Sequence, residues 1–313
     1  MLDDIAMKKF ILICLIYSMT LQSQPESHLY NPWINMYDNS LFSTNDNFKS
    51  TYKIGTIKQW FNITGAPITY YFSGNTFIDN YKTQLGLSII QDNSGFSNLS
   101  NLNLSYVYIL NLNKKWNIKL GIAANYQFIS YDFSKVITES NIDPTLISGL
   151  KTKGALDADF GVEFKRTNIK LGFISQNINS LINNQNYKLN TNFLYCNYIG
   201  HLSKYYDWNL NIKGIQYKDV IKNEFMFGLC YNDFTKNGLI NNSNKIDFGL
   251  LYNTDNQAGF NIGFDINQTF HVTYFFKYSL NNKFNNFYDT HMIIITFNIL
   301  NKEKCISCFD YTN

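Results

Sequence analysis

The feature that most constrains this chain is the strict alternation of apolar and polar residues in successive segments near ten residues long. In residues 116–128 every second side chain is apolar, and the positions between them are polar or small. Successive side chains of a β-strand point to opposite faces, so such a segment has one apolar and one polar face. The same period recurs in residues 154–165, 245–253, 257–267 and 269–279. The pattern therefore predicts an all-β fold.

The alternation predicts about fourteen strands, separated by turns rich in Asn, Asp, Gly and Lys. The predicted strands are residues 51–60, 67–74, 83–91, 100–110, 116–128, 154–165, 167–174, 190–203, 206–217, 222–232, 245–253, 257–267, 269–279 and 288–298. Such strands match the roughly 9 to 11 residues with which a tilted strand crosses a bilayer, whereas strands of soluble proteins average about five or six. Single-chain outer-membrane barrels have even strand numbers. We therefore predict a transmembrane antiparallel β-barrel.

Composition narrows the possible partners. Charged residues make up 16% of the 313 residues, the net charge is +3, and Arg166 is the only arginine. Bidentate recognition of phosphates or bases by arginine is therefore not expected, so nucleic acid is excluded as a partner. An exported soluble β-protein would also show alternation and stays an alternative to the barrel, which would have the lipid bilayer as its surroundings.

The N-terminus has the features of a secretory signal. Lys8 and Lys9 precede the apolar run 10–19, and small or polar residues follow. The run is shorter than the about 20 residues that span a bilayer. The predicted organisation is a signal peptide at 1–24, an N-terminal segment at 25–48, a barrel at 49–299 and a polar tail at 300–313, in the cell outer membrane. Within the tail, Cys305 and Cys308 are too few for a structural zinc site, and their role stays open.

Charged and histidine side chains on the polar faces are the candidate lumenal residues. They are Lys119, Asp157, Asp159, Glu163, Lys165, Asp247, Asp265 and His271. Two interpretations remain open, because such charges line some conducting pores but also form the ordinary polar interior of these barrels. Residues 132–153 interrupt the strand pattern and are predicted to form a long loop or plug.

Motifs for catalysis are missing from the sequence. The chain has four histidines, and none has the spaced partners of a nucleophilic or acid–base site. Residues 92–95 lack the later ligands of a calcium loop and are predicted to form a turn. No glycine-rich segment leads into a helix that could bind phosphate. The sequence therefore predicts a protein that is not an enzyme, without cofactor or metal.

Several short motifs follow one another in a characteristic order. They are Asn31-Pro32, Gln59-Trp60 with Gly65-Ala66-Pro67, Gly86 within residues 85–87, Asp92 with Gly95, Tyr106-Val107-Tyr108, Leu120-Gly121-Ile122, and His291 before the last strand. Their order resembles that of the PorP/SprF family of type IX secretion outer-membrane proteins, over nearly the whole mature chain. The most specific match is the segment 58–70.

The resemblance implies an outer membrane of the Bacteroidota and a role in type IX secretion or gliding motility. The expected partners are other type IX secretion components and secreted proteins carrying C-terminal sorting domains. The resemblance brings no catalytic residue and no cofactor. The first hypothesis is therefore a barrel that scaffolds or anchors secreted surface proteins. The alternative is an outer-membrane diffusion channel or hydrophobic-ligand porin.

Overall fold

The chain forms fourteen strands and two short 3-10 helices in the part described by the computed structural model. The described residues are 42, 48–61, 63, 65–113, 115–132, 153–181, 190–203, 205–217, 220–235, 242–266, 269–280 and 289–300. The strands are β1 (Phe48–Gln59), β2 (Ile68–Ile78), β3 (Thr83–Ser94), β4 (Ser97–Asn111), β5 (Trp116–Tyr131), β6 (Lys153–Arg166), β7 (Ile169–Gln176), β8 (Thr191–His201), β9 (Tyr206–Tyr217), β10 (Val220–Thr235), β11 (Asn242–Asn253), β12 (Gln257–Ile266), β13 (Phe270–Ser279) and β14 (Asp289–Leu300). The helices are Asp79–Tyr81 and Ile178–Leu181.

Each strand pairs antiparallel with its neighbours in sequence, and β1 pairs with β14 to close the barrel. The closing ladder runs from Phe48 opposite Leu300 to Gln59 opposite Thr290. Closure pairs the two strands that would otherwise be open edges, which a bilayer does not tolerate. The prediction of a fourteen-stranded antiparallel barrel is confirmed.

Every predicted strand overlaps an observed one, and the ends differ by at most four residues. The largest difference is at β2, which was predicted to end at residue 74 and continues to Ile78. The turn predicted at residues 92–95 is wrong in its first part. Asp92 lies in β3, and the chain turns only at Gly95, which has a φ of +57°. The two-residue connection to β4 is shorter than the predicted turn, because the β3–β4 ladder continues to Ser94 opposite Ser97.

The outer wall is apolar, as the alternation predicts. In β5, Leu120 and Ile122 point outward and are 42% and 58% exposed, whereas the intervening Lys119 is 1% exposed. The same phase holds in β12, where Ile262 is 46% exposed and Asn261 is fully buried. Exposed apolar side chains around a closed sheet form the surface that faces lipid in such barrels. Among the described residues no helix has the length and apolar character needed to cross a membrane.

The inward face differs from the wholly polar face that the alternation predicts. Buried apolar side chains from most strands form a connected cluster inside the barrel. Its members are Phe42, Ile57, Tyr71, Ile90, Val107, Ile109, Ala123, Ile174, Phe193, Tyr195, Ile215, Met226, Leu251, Phe275, Met292 and Ile294. Inward polar residues such as Gln84 and Lys213 are also fully buried. These buried apolar and polar side chains therefore fill the parts of the lumen in which they lie.

Because the strand number is even, the start of β1 and the end of β14 lie at the same rim. We call this rim, with Phe48 and Leu300, the terminal rim. Its connections are residues 79–82, 112–115, 167–168, 202–205, 236–241 and 267–269. The opposite rim, here the long-loop rim, has the connections 60–67, 95–96, 132–152, 177–190, 218–219, 254–256 and 280–288. The longest connections are all on the long-loop rim.

Several predicted segments lie outside the described residues. They are the signal peptide 1–24, the tail residues 301–313 with both tail cysteines, and Asn31 and Pro32. Of the predicted N-terminal segment, only Phe42 and Phe48 are described. Of the predicted long loop, residues 133–152 fall outside the description as well.

Candidate functional site

The β1–β2 connection at the long-loop rim contains the most specific motif. The Gln59 N–H donates to the Pro67 carbonyl at 3.1 Å, which closes the base of the connection. Within it, the Ile63 N–H donates to the Trp60 carbonyl at 2.9 Å. Gly65 has a φ of +79°, and a Cβ placed there would meet nothing within 4 Å. The requirement for glycine at this position is therefore the left-handed backbone and not space.

The motif connection is tied to the last strand of the barrel. Asp289 accepts the Trp60 N–H on its backbone carbonyl at 2.7 Å and the Phe61 N–H on Oδ1 at 3.0 Å. Its Oδ2 lies 3.2 Å from His291 Nε2, and His291 Nδ1 lies 2.8 Å from the Tyr274 hydroxyl. The His291 ring also lies 5.1 Å from the Phe61 ring. His291 thus stands on the outer wall and connects the β1–β2 connection to β13 and β14.

A second tie joins the same connection to the β3–β4 turn. The Gly95 N–H donates to the Gly65 carbonyl at 3.2 Å, and the Thr69 hydroxyl donates to Asp92 Oδ1 at 3.0 Å. We call residues 59–61, 63 and 65–67, together with Asp92, Gly95, Asp289 and His291, the motif patch. The patch exposes Phe61 and Ile63, by 53% and 36%.

Among the described motif residues, Gly86 in β3 and the residues 106–108 in β4 and 120–122 in β5 lie away from the motif patch. Gly86 is in the middle of β3, where a Cβ would come within 2.3 Å of Ser105 Oγ and 2.4 Å of Asn75 Oδ1. Gly86 therefore makes room for polar side chains of the lumen wall. Sequence inspection missed Asp289, although its position two residues before His291 is the available signal.

The predicted lumenal residues fall into separate clusters on different parts of the wall. In the first cluster, Glu163 on β6 lies 3.4 Å from Lys119 Nζ and accepts the Tyr195 hydroxyl at 2.5 Å. Tyr195 fits only because its ring crosses Gly172, where a Cβ would lie 2.1 Å from the ring. All three interacting side chains are buried, so the charge of Glu163 is compensated inside the wall.

The second predicted cluster surrounds His271. Its Nδ1 lies 2.5 Å from Asp265 Oδ1 and its Nε2 lies 3.3 Å from Asp247 Oδ2. Asn261 donates to the other Asp247 oxygen at 3.2 Å. The imidazole therefore bridges two carboxylates of neighbouring strands. Lys165, also predicted to be lumenal, is half-buried near the end of β6 that lies at the terminal rim.

Asp157 and Asp159 accept hydrogen bonds from backbone N–H groups of the segment after β7. Asp159 Oδ1 accepts the Asn177 N–H at 2.9 Å, and Asp157 Oδ1 accepts the Asn179 N–H at 2.8 Å. Asn125 also donates to Asp159, at 2.5 Å. These two carboxylates hold the segment after β7 in place and do not present open charges to a pore.

A further charged cluster was missed from the sequence. Lys213 Nζ and Glu224 Oε2 lie 2.6 Å apart, and both side chains have no exposed surface. Lys222 Nζ lies 4.0 Å from the other Glu224 oxygen and 2.8 Å from Asp255 Oδ2 at the long-loop rim. The alternation of β9 and β10 was the available signal, because it places Lys213 and Glu224 on inward positions.

The clusters lie on separate parts of the wall and form no metal centre within the described part of the chain. No group of His, Cys, Asp and Glu residues there has the geometry to hold a metal ion. The charged clusters described above lie between buried apolar side chains of the same wall. The accessible residues of interest are those of the motif patch.

A closed antiparallel barrel with an apolar outer wall defines this chain as an outer-membrane β-barrel protein. The family model of the type IX secretion system membrane protein PorP/SprF matches residues 42–297. The chain therefore belongs to the PorP/SprF family, as the motif order predicted.

The chain is similar to several solved structures at low sequence identity. The CymD monoaromatic hydrocarbon channel is 11% identical, with 80% of this chain and 88% of that chain covered and a TM-score of 0.45. The Pseudomonas putida toluene transporter TodX is 10% identical, with 83% and 92% covered and a TM-score of 0.46. A Pseudomonas aeruginosa FadL homologue is 8% identical, with 80% and 89% covered and a TM-score of 0.42. No curated protein matches the chain.

Proposed function

We propose that this protein is a non-enzymatic barrel of the type IX secretion or gliding machinery that scaffolds or anchors secreted surface proteins. The observation that carries the proposal is the family match over residues 42–297. The partners are other type IX secretion components and secreted proteins with C-terminal sorting domains. The chain reaches the outer membrane of a Bacteroidota cell through the signal peptide 1–24, which is then removed.

The motif patch is the surface that we assign to partner binding. Its hydrogen bonds to Asp289 and Gly95 fix the backbone of the β1–β2 connection, so little conformational entropy is lost on binding. It also presents the exposed apolar side chains of Phe61 and Ile63. Preorganised backbone with apolar anchors is the usual make-up of a binding surface.

The long-loop rim is the side that we place outside the cell. Outer-membrane barrels have short turns on the periplasmic side and longer loops on the extracellular side. The longest connections, 132–152 and 177–190, are on the long-loop rim. The motif patch would then face secreted proteins. The terminal rim, with the start of β1 and the end of β14, would face the periplasm.

The packed lumen favours a scaffold over the alternative of a diffusion channel or hydrophobic-ligand porin. The inward Lys213, Glu224 and Phe275 have no solvent-accessible surface, whereas side chains that line a water-filled pore are exposed to it. We expect the purified barrel to show no steady ion current in a planar bilayer. A stable unitary conductance would favour the channel.

The test of partner binding removes single side chains of the motif patch. We expect Trp60→Ala and Pro67→Ala to reduce the surface display of proteins with C-terminal sorting domains several-fold, with less effect on barrel assembly. The measurement is the amount of such proteins that co-isolates with the tagged barrel from native membranes. Heat-dependent unfolding of each purified variant reports separately on assembly.

Tyr81→Ala is the matched control, since Tyr81 is an aromatic side chain that is 72% exposed on the terminal rim. It should leave surface display unchanged. Normal display in both motif variants would contradict the role of the motif patch. Loss of display in the control as well would show a general assembly defect instead.

A further inference from the structure

The wall of the barrel has a short strand at the long-loop rim. β7 has 8 residues, whereas its neighbour β6 has 14. The β6–β7 ladder therefore covers only Phe160 to Arg166 of β6. The residues of β6 nearer the long-loop rim, Lys153–Asp159, pair with β5 on their other side.

The chain does not continue along this part of β6 after β7 ends. Asn177 adopts a left-handed backbone with a φ of +56°, and the 3-10 helix Ile178–Leu181 follows. We call residues 177–181 the strap. The left-handed residue redirects the chain from the wall, since a regular strand needs a negative φ.

The strap is hydrogen-bonded to inward side chains of β6. A longer β7 would instead be hydrogen-bonded to the backbone of β6. The Asn177 and Asn179 N–H groups donate to the carboxylates of Asp159 and Asp157, at 2.9 and 2.8 Å. The Asn179 side chain adds a bond to the Leu156 carbonyl at 3.3 Å. Because Asp157 and Asp159 point into the barrel, the strap lies on the lumenal side of the wall.

The strap and its contacts cover polar groups that are buried at this mouth of the barrel. Gln127, which donates to Asn177 Oδ1 at 2.8 Å, has no exposed surface. Asp157 and Asp159 are each 4% exposed. Directly before the strap, the Gln176 carbonyl accepts a hydrogen bond from the Asn190 side chain at 2.9 Å.

Among the strap side chains that the structure describes, only that of Ile178 is apolar. Asn177 is buried, but Ile178 is only half-buried and Asn179 is exposed. Segments with few buried apolar contacts open locally at a lower free energy than the strands around them. A carboxylate that accepts a backbone N–H forms a charge-assisted bond, about twice as strong as a neutral one. The two carboxylates are therefore strong restraints on this segment.

We infer that the strap is an openable cover over this side of the lumen mouth and that Asp157 and Asp159 are its latch. Loss of the two carboxylate contacts loosens the strap and lets it open, while the ladders of β5, β6 and β7 stay intact. Opening uncovers Gln127 and the latch carboxylates at the long-loop rim. The barrel can thus expose a buried polar surface at one rim without unfolding its wall.

The test is amide hydrogen exchange of the full-length barrel in lipid, followed by mass spectrometry. In the variant Asp157→Ala with Asp159→Ala, we expect peptides covering 177–181 to exchange at least about tenfold faster, because two charge-assisted bonds are lost. Peptides from β5 and from residues 160–166 should stay protected. Asp265→Ala is the matched control, since it removes a lumenal carboxylate that contacts His271 and not the strap.

A second variant leaves β6 unchanged. Asn179→Pro removes the N–H that donates to Asp157 and should also speed exchange of the rest of the strap. Unchanged exchange of the strap in both variants would overturn the inference. The inference is also overturned if the Asp265→Ala control speeds strap exchange as much as the latch variant, because the effect would then not depend on the latch.

Discussion

The outer wall and the lumen are made by the same fourteen strands, yet their side chains obey different rules. Outward positions need only be apolar, and large apolar residues there are exposed all around the barrel. Inward positions are individual, since Lys213 is buried against Glu224 and His271 lies between two carboxylates. The comparison teaches that the surrounding lipid determines which residue types suit outward positions, whereas specific partner side chains determine which suit inward positions.

The largest expected effect is at the most buried inward charge. Glu224→Ala leaves the Lys213 ammonium in the wall without the carboxylate that lies 2.6 Å away. Removing one partner of a buried ion pair costs about 3–5 kcal/mol. The free energy of unfolding in urea, measured in lipid vesicles, should fall by this amount. The double variant Lys213→Met with Glu224→Leu should recover most of the loss, and a fall as large as in the single variant would contradict the pairing.

The second effect is a charge placed on the outward face. Ile262 on β12 is 46% exposed to the surroundings of the wall, and a lysine on the lipid face costs about 2–4 kcal/mol near the bilayer midplane. Ile262→Lys should lower the free energy of unfolding and the yield of membrane assembly. A harmless Ile262→Lys together with a harmful Asn261→Leu would show that the two faces are assigned in reverse.

The smallest effect is an apolar exchange on the outer wall. Ile122 is 58% exposed on β5, and Ile122→Leu should change the free energy of unfolding by less than about 0.5 kcal/mol, as for other substitutions outside packed sites. The same urea titration measures it. A loss of about 2 kcal/mol or more, the scale of a packed-core change, would mean that this position has a specific partner.

Much of the wall could be predicted because strand formation and side-chain direction are local properties. The phase of β5, with Lys119 inward and Leu120 outward, follows from the sequence of that strand alone. The turn at residues 92–95 was placed too early, because strand ladders continue until the chain reverses and the pattern of Asp92 resembles a turn.

The candidate site was predictable only in part. The motif order identified Trp60, Gly65 and Gly95, but the hydrogen bonds of Trp60 and Phe61 to Asp289 join residues more than two hundred positions apart. Such contacts exist because β1 pairs with β14, and closure is not visible in any local segment. For the same reason, the sequence left open whether Asp157 and Asp159 line a pore.

The sequence by itself determined the strand number, the apolar outer wall and the family, since the period of two and the short motifs are read along the chain. The tertiary structure alone decided which inward charges meet, that buried apolar side chains cluster inside the barrel, and that two carboxylates hold the strap. The physical reason is that register and ring closure bring together residues from distant strands, and only their burial in one place makes each charge depend on a particular partner.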